Sequence, residues 1–162
     1  MDTQLTTTLN TNSQNIKIEK IYNKILKYLS KYFKENQFSH NIKIIDDIEH
    51  HSILSIKDKI IIELDDDTHF QGENYQTVLE KDIINIEEAI SLDYKVVRIC
   101  LSDLLQKKLN LKHMILFILH KIKTGEGFNI YYVSNNKFIY KNHSFKLKRK
   151  LCQTIRRLFF RW

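Results

Sequence analysis

Residues 59–69 read KIIIELDDDTH. Ile60, Ile61, Ile62 and Leu64 present apolar side chains to both faces of an extended chain, which predicts a strand buried on both sides in the middle of a sheet. Glu63 and Asp65 stand two apart and therefore project to one face of that strand. Adjacent carboxylates repel unless a cation or a proton lies between them. On spacing alone the commoner arrangement, a solvated strand end leading into an acidic turn, is preferred. Hard oxygen ligands on a buried strand are also how a Mg²⁺ or Mn²⁺ site is built.

The rest of the chain supplies partners for that strand. After a polar loop with Gly72, Leu79, Ile83, Ile86 and Ile90 recur at helical spacing and predict a helix over 76–92. Asp82 sits one turn from Val78 and from Ile86, beside the apolar stripe, where a carboxylate needs a cation, donors or a route to solvent. Residues 94–100 (YKVVRIC) predict a second central strand, and 41–48 and 52–56 predict two short ones. Upstream, Ile18, Ile21, Ile25, Leu29 and Tyr32 mark an amphipathic helix over 16–34. Helical spacing resumes from Leu101 to Lys123 with a break at Asn110. Segments 128–133 and 137–140 flank Ser134-Asn135-Asn136 and predict a β-hairpin. A final helix is expected over 146–161, with Leu147, Leu151, Ile155 and Leu158 on its buried side. This order, α-β-β-β-α-β followed by helix, hairpin and helix, belongs to the α/β class, with a mixed central sheet flanked by helices. The expected organisation is a flexible polar tail over 1–15, a core over 16–123, and a basic hairpin-and-helix extension over 124–162.

Charge is sorted along this order. The chain of 162 residues carries a net charge of +7, yet residues 107–162 hold 14 basic side chains and one acid, whereas 46–82 hold 11 acids and three lysines. With 24 Ile, 21 Lys and 13 Asn against one Ala, three Gly and no Pro, part of the lysine surplus reflects AT-rich codons. Codon bias does not sort charge by position. The separation suggests a cation site beside a polyanion-binding surface. Two cysteines are too few for a disulfide scaffold, residues 1–15 lack a secretory signal's pattern, and no apolar run approaches a membrane span. An intracellular protein is expected.

Taken in order, these residues resemble the PD-(D/E)xK nuclease superfamily, in the branch around very-short-patch-repair-like endonucleases. The matching text is IIIELDDDTH (60–69), KDIIN (81–85) and LDYKVVRIC (92–100). Glu63, Asp65 and His69 fall in register with that branch's Glu-x-Asp-Gly-x-x-His. Asp82 matches its helix acid, and Tyr94, Val97, Arg98 and Ile99 match its second strand. EKIYNKIL (19–26) resembles the first-helix glutamate segment, and Asp46 or Asp47 stands in the place of the first-strand aspartate. The resemblance covers most of 16–105. Asp66 and Asp93 replace glycines, Asn85 replaces a basic residue, and no proline precedes Asp46 or Asp47.

The resemblance implies a restriction-endonuclease-like core and metal-dependent hydrolysis of phosphodiester bonds in DNA. It implies catalytic roles for Glu63, Asp65, His69 and Asp82, with His69 orienting water or protonating the leaving oxygen. Asp46 or Asp47, Glu63 and Asp65 would hold Mg²⁺ or Mn²⁺, with Glu19 an outer ligand through water. Lys59 or Lys81 would replace the charge missing at Asn85. Asn85 and the lost glycines point instead to a silent version of the fold that binds nucleic acid or a protein.

The basic extension is the expected grip on nucleic acid, through Lys137, Lys141, Lys146, Lys148, Arg149, Arg156 and Arg157. Tyr131, Tyr132, Phe138, Tyr140 and Phe145 alternate with basic residues there, and most are expected to be core. A competing use of the last helix, with Phe159, Phe160 and Trp162 near its end, is docking on an anionic membrane or an acidic partner. His113 and His120 are read as structural. Oligomeric state is not legible; a homodimer is compatible.

Overall fold

The structure is a computed structural model. It describes residues 3–32, 38–45, 48–56, 58–125, 128–136, 138–151 and 156–159, with side chains over 16–31, 52–56, 58–125, 128–136 and 138–146. The apolar run at 60–62 lies in strand β3 (Ile60–Asp65), in the interior of a six-stranded mixed sheet. Strands β1 (Phe38–Ile45) and β2 (Ile48–Ser55) pair antiparallel, as do β2 and β3. Strands β4 (Lys95–Cys100), β5 (Ile130–Ser134) and β6 (Arg156–Phe159) then add in parallel, so spatial order equals chain order.

Alternation along the central strands divides the molecule into two apolar layers. Ile60, Ile62 and Leu64 of β3, Val97 and Ile99 of β4, and Tyr131 and Val133 of β5 pack with α1 (Thr3–Tyr32), α3 (Leu101–Leu105) and α4 (Leu111–Lys123). Val96 and Cys100, with Ile130 and Tyr132, face the other way, against Leu79, Ile83, Ile86 and Ala89 of α2 (Tyr75–Ser91). Helix α5 (Lys141–Leu151) joins α2 on that face. Glu63, Asp65 and Arg98 have the parity of this second face. The β3–β4 connection thus crosses one face and the β4–β5 connection the other. For consecutive parallel neighbours, that requires crossovers of opposite hand, a departure from the usual uniformly right-handed connections.

Local chemistry explains the ends of these elements. Helix α2 closes with Tyr94 N–H donating to Ala89 O and Asp93 N–H to Ile90 O, with Asp93 at φ 64°. This is the position where glycine is favoured, and aspartate is among the few other residues that tolerate it. Asp66, which the resemblance sets in a glycine's place, has φ −80° and needs no such freedom; its carboxylate caps the short 3₁₀ turn Asp67–His69 by accepting from Thr68 N–H.

Three expectations are corrected. The hairpin over 128–133 and 137–140 does not form: residues 138–140 are a turn into α5. Both edges of β5 are already occupied, by β4 and β6, and Ser134 Oγ and Asn135 N–H are held by Asp103 at 2.6 and 2.7 Å. The final helix is not continuous over 146–161, because α5 ends at Leu151 and Arg156–Phe159 is β6, hydrogen-bonded to β5. Lastly, α1 begins at Thr3, inside the stretch expected to be a flexible tail. Its Thr and Asn residues are weak helix formers, and no Gly or Pro breaks the run.

Candidate functional site

On the α2/α5 face, Glu63 pairs in register with Arg98, and Arg98 with Tyr132. Arg98 is the charge inside the otherwise apolar strand VVRIC, and its side chain is 1 % exposed. A buried guanidinium requires partners. Nη2 and Nε of Arg98 donate to Oδ1 and Oδ2 of Asp65 at 2.7 and 2.9 Å, a bidentate pair. The same Nη2 lies 2.8 Å from Asp82 Oδ2, and Nε lies 3.4 Å from Glu63 Oε2. One cation from β4 therefore gathers carboxylates from β3 and α2.

Asp82 Oδ2 also faces two imidazoles, His69 Nδ1 at 2.9 Å and His143 Nε2 at 3.0 Å. Tyr140 Oη donates to Asp65 Oδ2 at 2.8 Å. Tyr140 stacks on Tyr132 with ring centroids 4.7 Å apart, and Phe70 meets it edge-on at 5.0 Å. Residues from β3, the 3₁₀ turn, α2, β4 and α5 thus close one polar cluster behind an aromatic wall. Glu63 is its open side, with 30 % of its side chain exposed, whereas Asp65, His69 and Asp82 are buried.

The electrostatics follow from this packing. Burial opposes ionisation of Asp82, yet Arg98 and the hydrogen bonds from His143 and His69 prevail and hold its carboxyl well below the usual range. Burial likewise disfavours the charged form of His69, but Asp65 and the bond to Asp82 outweigh it and raise its pKa. His69 Nδ1 lies between Asp82 Oδ2 at 2.9 Å and Arg98 Nη2 at 3.0 Å, and it donates to Asp82 in the form that carries its proton on Nδ1. His143 shifts the other way: burial and Arg98 lower it despite the bond to Asp82, favouring a neutral ring that donates through Nε2. Glu63 is pushed up, by desolvation first and then by Asp65 and Asp82, against the pull of Arg98.

The four expected catalytic residues, Glu63, Asp65, His69 and Asp82, are therefore brought together. Others are not. Glu19 is exposed on α1, which packs on the opposite face of the sheet, and among the described residues nothing joins it to the carboxylates. Asp46 and Asp47 lie outside the described residues. Lys59, expected to supply a missing charge, has its ammonium 4.7 Å over the Tyr94 ring; Lys81 and Asn85 are exposed on α2. Of the expected nucleic-acid contacts, Lys141 is exposed and Lys146 lies 3.5 Å from Glu80. Lys137 and the side chains of Lys148, Arg149, Arg156 and Arg157 lie outside the described residues. Tyr131, Tyr132 and Tyr140 are core, whereas Phe138 and Phe145 are exposed.

The donor set leaves little room for a divalent ion. Both oxygens of Asp65 are engaged by Arg98 and one also by Tyr140, and Asp82 Oδ2 is shared by three donors. Among the described residues no group of three or more His, Cys, Asp or Glu is arranged to hold a metal ion. The described carboxylates therefore do not fit as a complete ligand set. Arg98 occupies the position a cation would take between Asp65 and Asp82.

Arg98, Tyr140 and His143 join this cluster in addition to the residues expected from the sequence. The signal for Arg98 was present, as a permanent charge in a central strand. Tyr140 and His143 carried none, since their placement depends on a turn read as a hairpin. Comparison adds no relative: no family model, curated protein or solved structure matches the chain. Among the described residues no helix is long and apolar enough to cross a membrane.

Proposed function

We propose that the chain is a DNA endonuclease with a restriction-endonuclease-like core, and that hydrolysis depends on Glu63. The single observation that carries the reading is the convergence of Glu63, Asp65, His69 and Asp82 on one sheet face around Arg98. An antiparallel β1-β2-β3 meander followed by α2 and a parallel β4 agrees with the core that the sequence resembles.

The chain's own groups divide the work. Arg98 neutralises Asp65 and Asp82 and keeps them in fixed positions. His69, oriented by Asp82, is a proton donor of raised basicity. Glu63 is the carboxylate open to an incoming substrate. The Mg²⁺ or Mn²⁺ implied by the resemblance would have to combine Glu63 with Asp46 or Asp47.

A second reading is favoured by the engagement of Asp65 and Asp82: a nuclease-fold protein that binds DNA without cutting it. Incubating the chain with supercoiled plasmid and labelled single strands in Mn²⁺ separates the two. Nicking or linearisation supports the first. Retarded but intact DNA supports the second and removes hydrolysis from the account.

A further inference from the structure

The lysines expected to grip DNA lay at the C-terminal end of the chain, but the sheet topology draws attention to another place. In parallel sheets, ligands bind outside the carboxyl ends of strands where successive connections leave toward opposite faces. That condition holds between β3 and β4 and again between β4 and β5. The chain leaves β4 toward the α1/α4 face and leaves β5 toward the α2/α5 face. A groove of about 480 Å³ lies there, lined by Lys107, Lys108, Leu109, Asn110 and Asn135.

Its walls are fixed. Lys108 N–H donates to Asp103 O at 2.9 Å and Lys107 N–H to Leu104 O at 3.1 Å, with Lys107 at φ 57°, which locks both lysines into the closing turn of α3. Across the groove, Asn135 N–H is held by the buried Asp103 carboxylate, which Ser134 Oγ also satisfies. Beyond Asp103, residues 104–123 contain five lysines and no acid. Among the described residues, Lys107, Lys108 and Lys112 have no acidic partner, whereas Lys95 and Lys146 each have one.

We propose that this β4/β5 carboxyl-edge groove binds the phosphate backbone of a nucleic acid, with Lys107 and Lys108 as its principal contacts. The inference rests on the nuclease reading for its partner. The end of β3, which carries Asp65, is two strands from β5, roughly 10 Å away at ordinary strand spacing. A strand gripped in the groove lies within a few nucleotides' length of that strand end.

The test is fluorescence anisotropy of a labelled DNA oligonucleotide against salt, comparing the full chain with Lys107→Asn/Lys108→Gln. Asparagine tolerates the left-handed position. Lys108→Gln alone keeps the comparison open should the double variant fail to fold, and Lys17→Gln/Lys20→Gln on α1 is the matched control. The double variant is expected to bind roughly tenfold more weakly at 100 mM salt and to lower the log–log salt slope by about 2, as loss of two phosphate contacts requires. Wild-type affinity and slope in the double variant, or in Lys108→Gln if only that folds, overturn the groove while leaving the nuclease reading standing. So does a preference for phosphatidylserine vesicles over DNA. Lysine-dependent binding without any cleavage keeps the groove and removes the hydrolytic reading.

Discussion

Nη2 of Arg98 lies 2.8 Å from Oδ2 of Asp82, so the acidic face of the sheet is held from within the chain. The carboxylates at 63, 65 and 82 require a cation, and β4 supplies one as a guanidinium. Replacing Arg98 by Met removes the charge but not the need for it. Stranding buried carboxylates in this way costs about 3–5 kcal/mol. Urea titration of Arg98→Met is expected to show a loss of that size, and Arg98→Lys a large part of it, because an ammonium does not reproduce the bidentate fork. A loss below about 1 kcal/mol in the Met variant would mean the network contributes little.

The two histidines on Asp82 give opposite pH dependences. His69 has a raised pKa in the folded chain, so its contribution is complete below the unfolded value of about 6.5 and is lost as pH rises through the folded one. His143 has a lowered pKa, so its contribution is present above about 6.5 and is lost as pH falls. His143→Gln should therefore leave a chain whose stability falls with rising pH above neutrality. His69→Gln should leave one whose stability falls on acidification below about 6.5. Melting curves between pH 5 and 9 check both, and slopes of the same sign in the two variants would contradict these assignments.

Asp82 governs a lower range. Its folded pKa is depressed, so its contribution is present above the ordinary aspartate value near 4 and is lost as pH falls through the folded one. Asp82→Asn should be markedly less stable at neutral pH and should flatten the acid limb of the unfolding profile below about pH 4. An unchanged acid limb would place the acid-sensitive carboxylate elsewhere.

Tyr140→Phe keeps the ring on Tyr132 and removes the hydroxyl that donates to Asp65. A hydrogen bond to a charged acceptor contributes about 1.5–3 kcal/mol. Chemical denaturation should show a loss in that range, and a neutral outcome would show that Arg98 alone satisfies Asp65.

Much of the central fold was legible because its signals are local and periodic. The run at 60–64, the strand VVRIC and the stripe Leu79-Ile83-Ile86 each declare their type within a few residues, and all three fall where expected. The C-terminal third was misread because Ser134-Asn135-Asn136 has hairpin chemistry locally, whereas Asp103, 31 residues upstream of Ser134, decides where that turn goes. Site membership divides in the same way. Glu63, Asp65 and His69 share one short segment, and Asp82 betrays itself beside an apolar stripe. Tyr140 and His143 enter only when α5 folds over α2, a long-range event that leaves no periodic trace.

The central claim is that this cluster hydrolyses DNA through Glu63. Because Glu63 is partly open, and Arg98 keeps its shorter pairs with Asp65 and Asp82 without it, its removal should leave the fold intact. The most direct measurement is the single-turnover rate of plasmid nicking in Mn²⁺ by the wild-type chain and by Glu63→Ala, with circular dichroism confirming that the variant is folded. The account predicts nicking by the wild type and a rate at least ~100-fold lower in the variant, the order expected when a transition-state contact is lost. Equal rates, or no nicking by the wild-type chain, would contradict it.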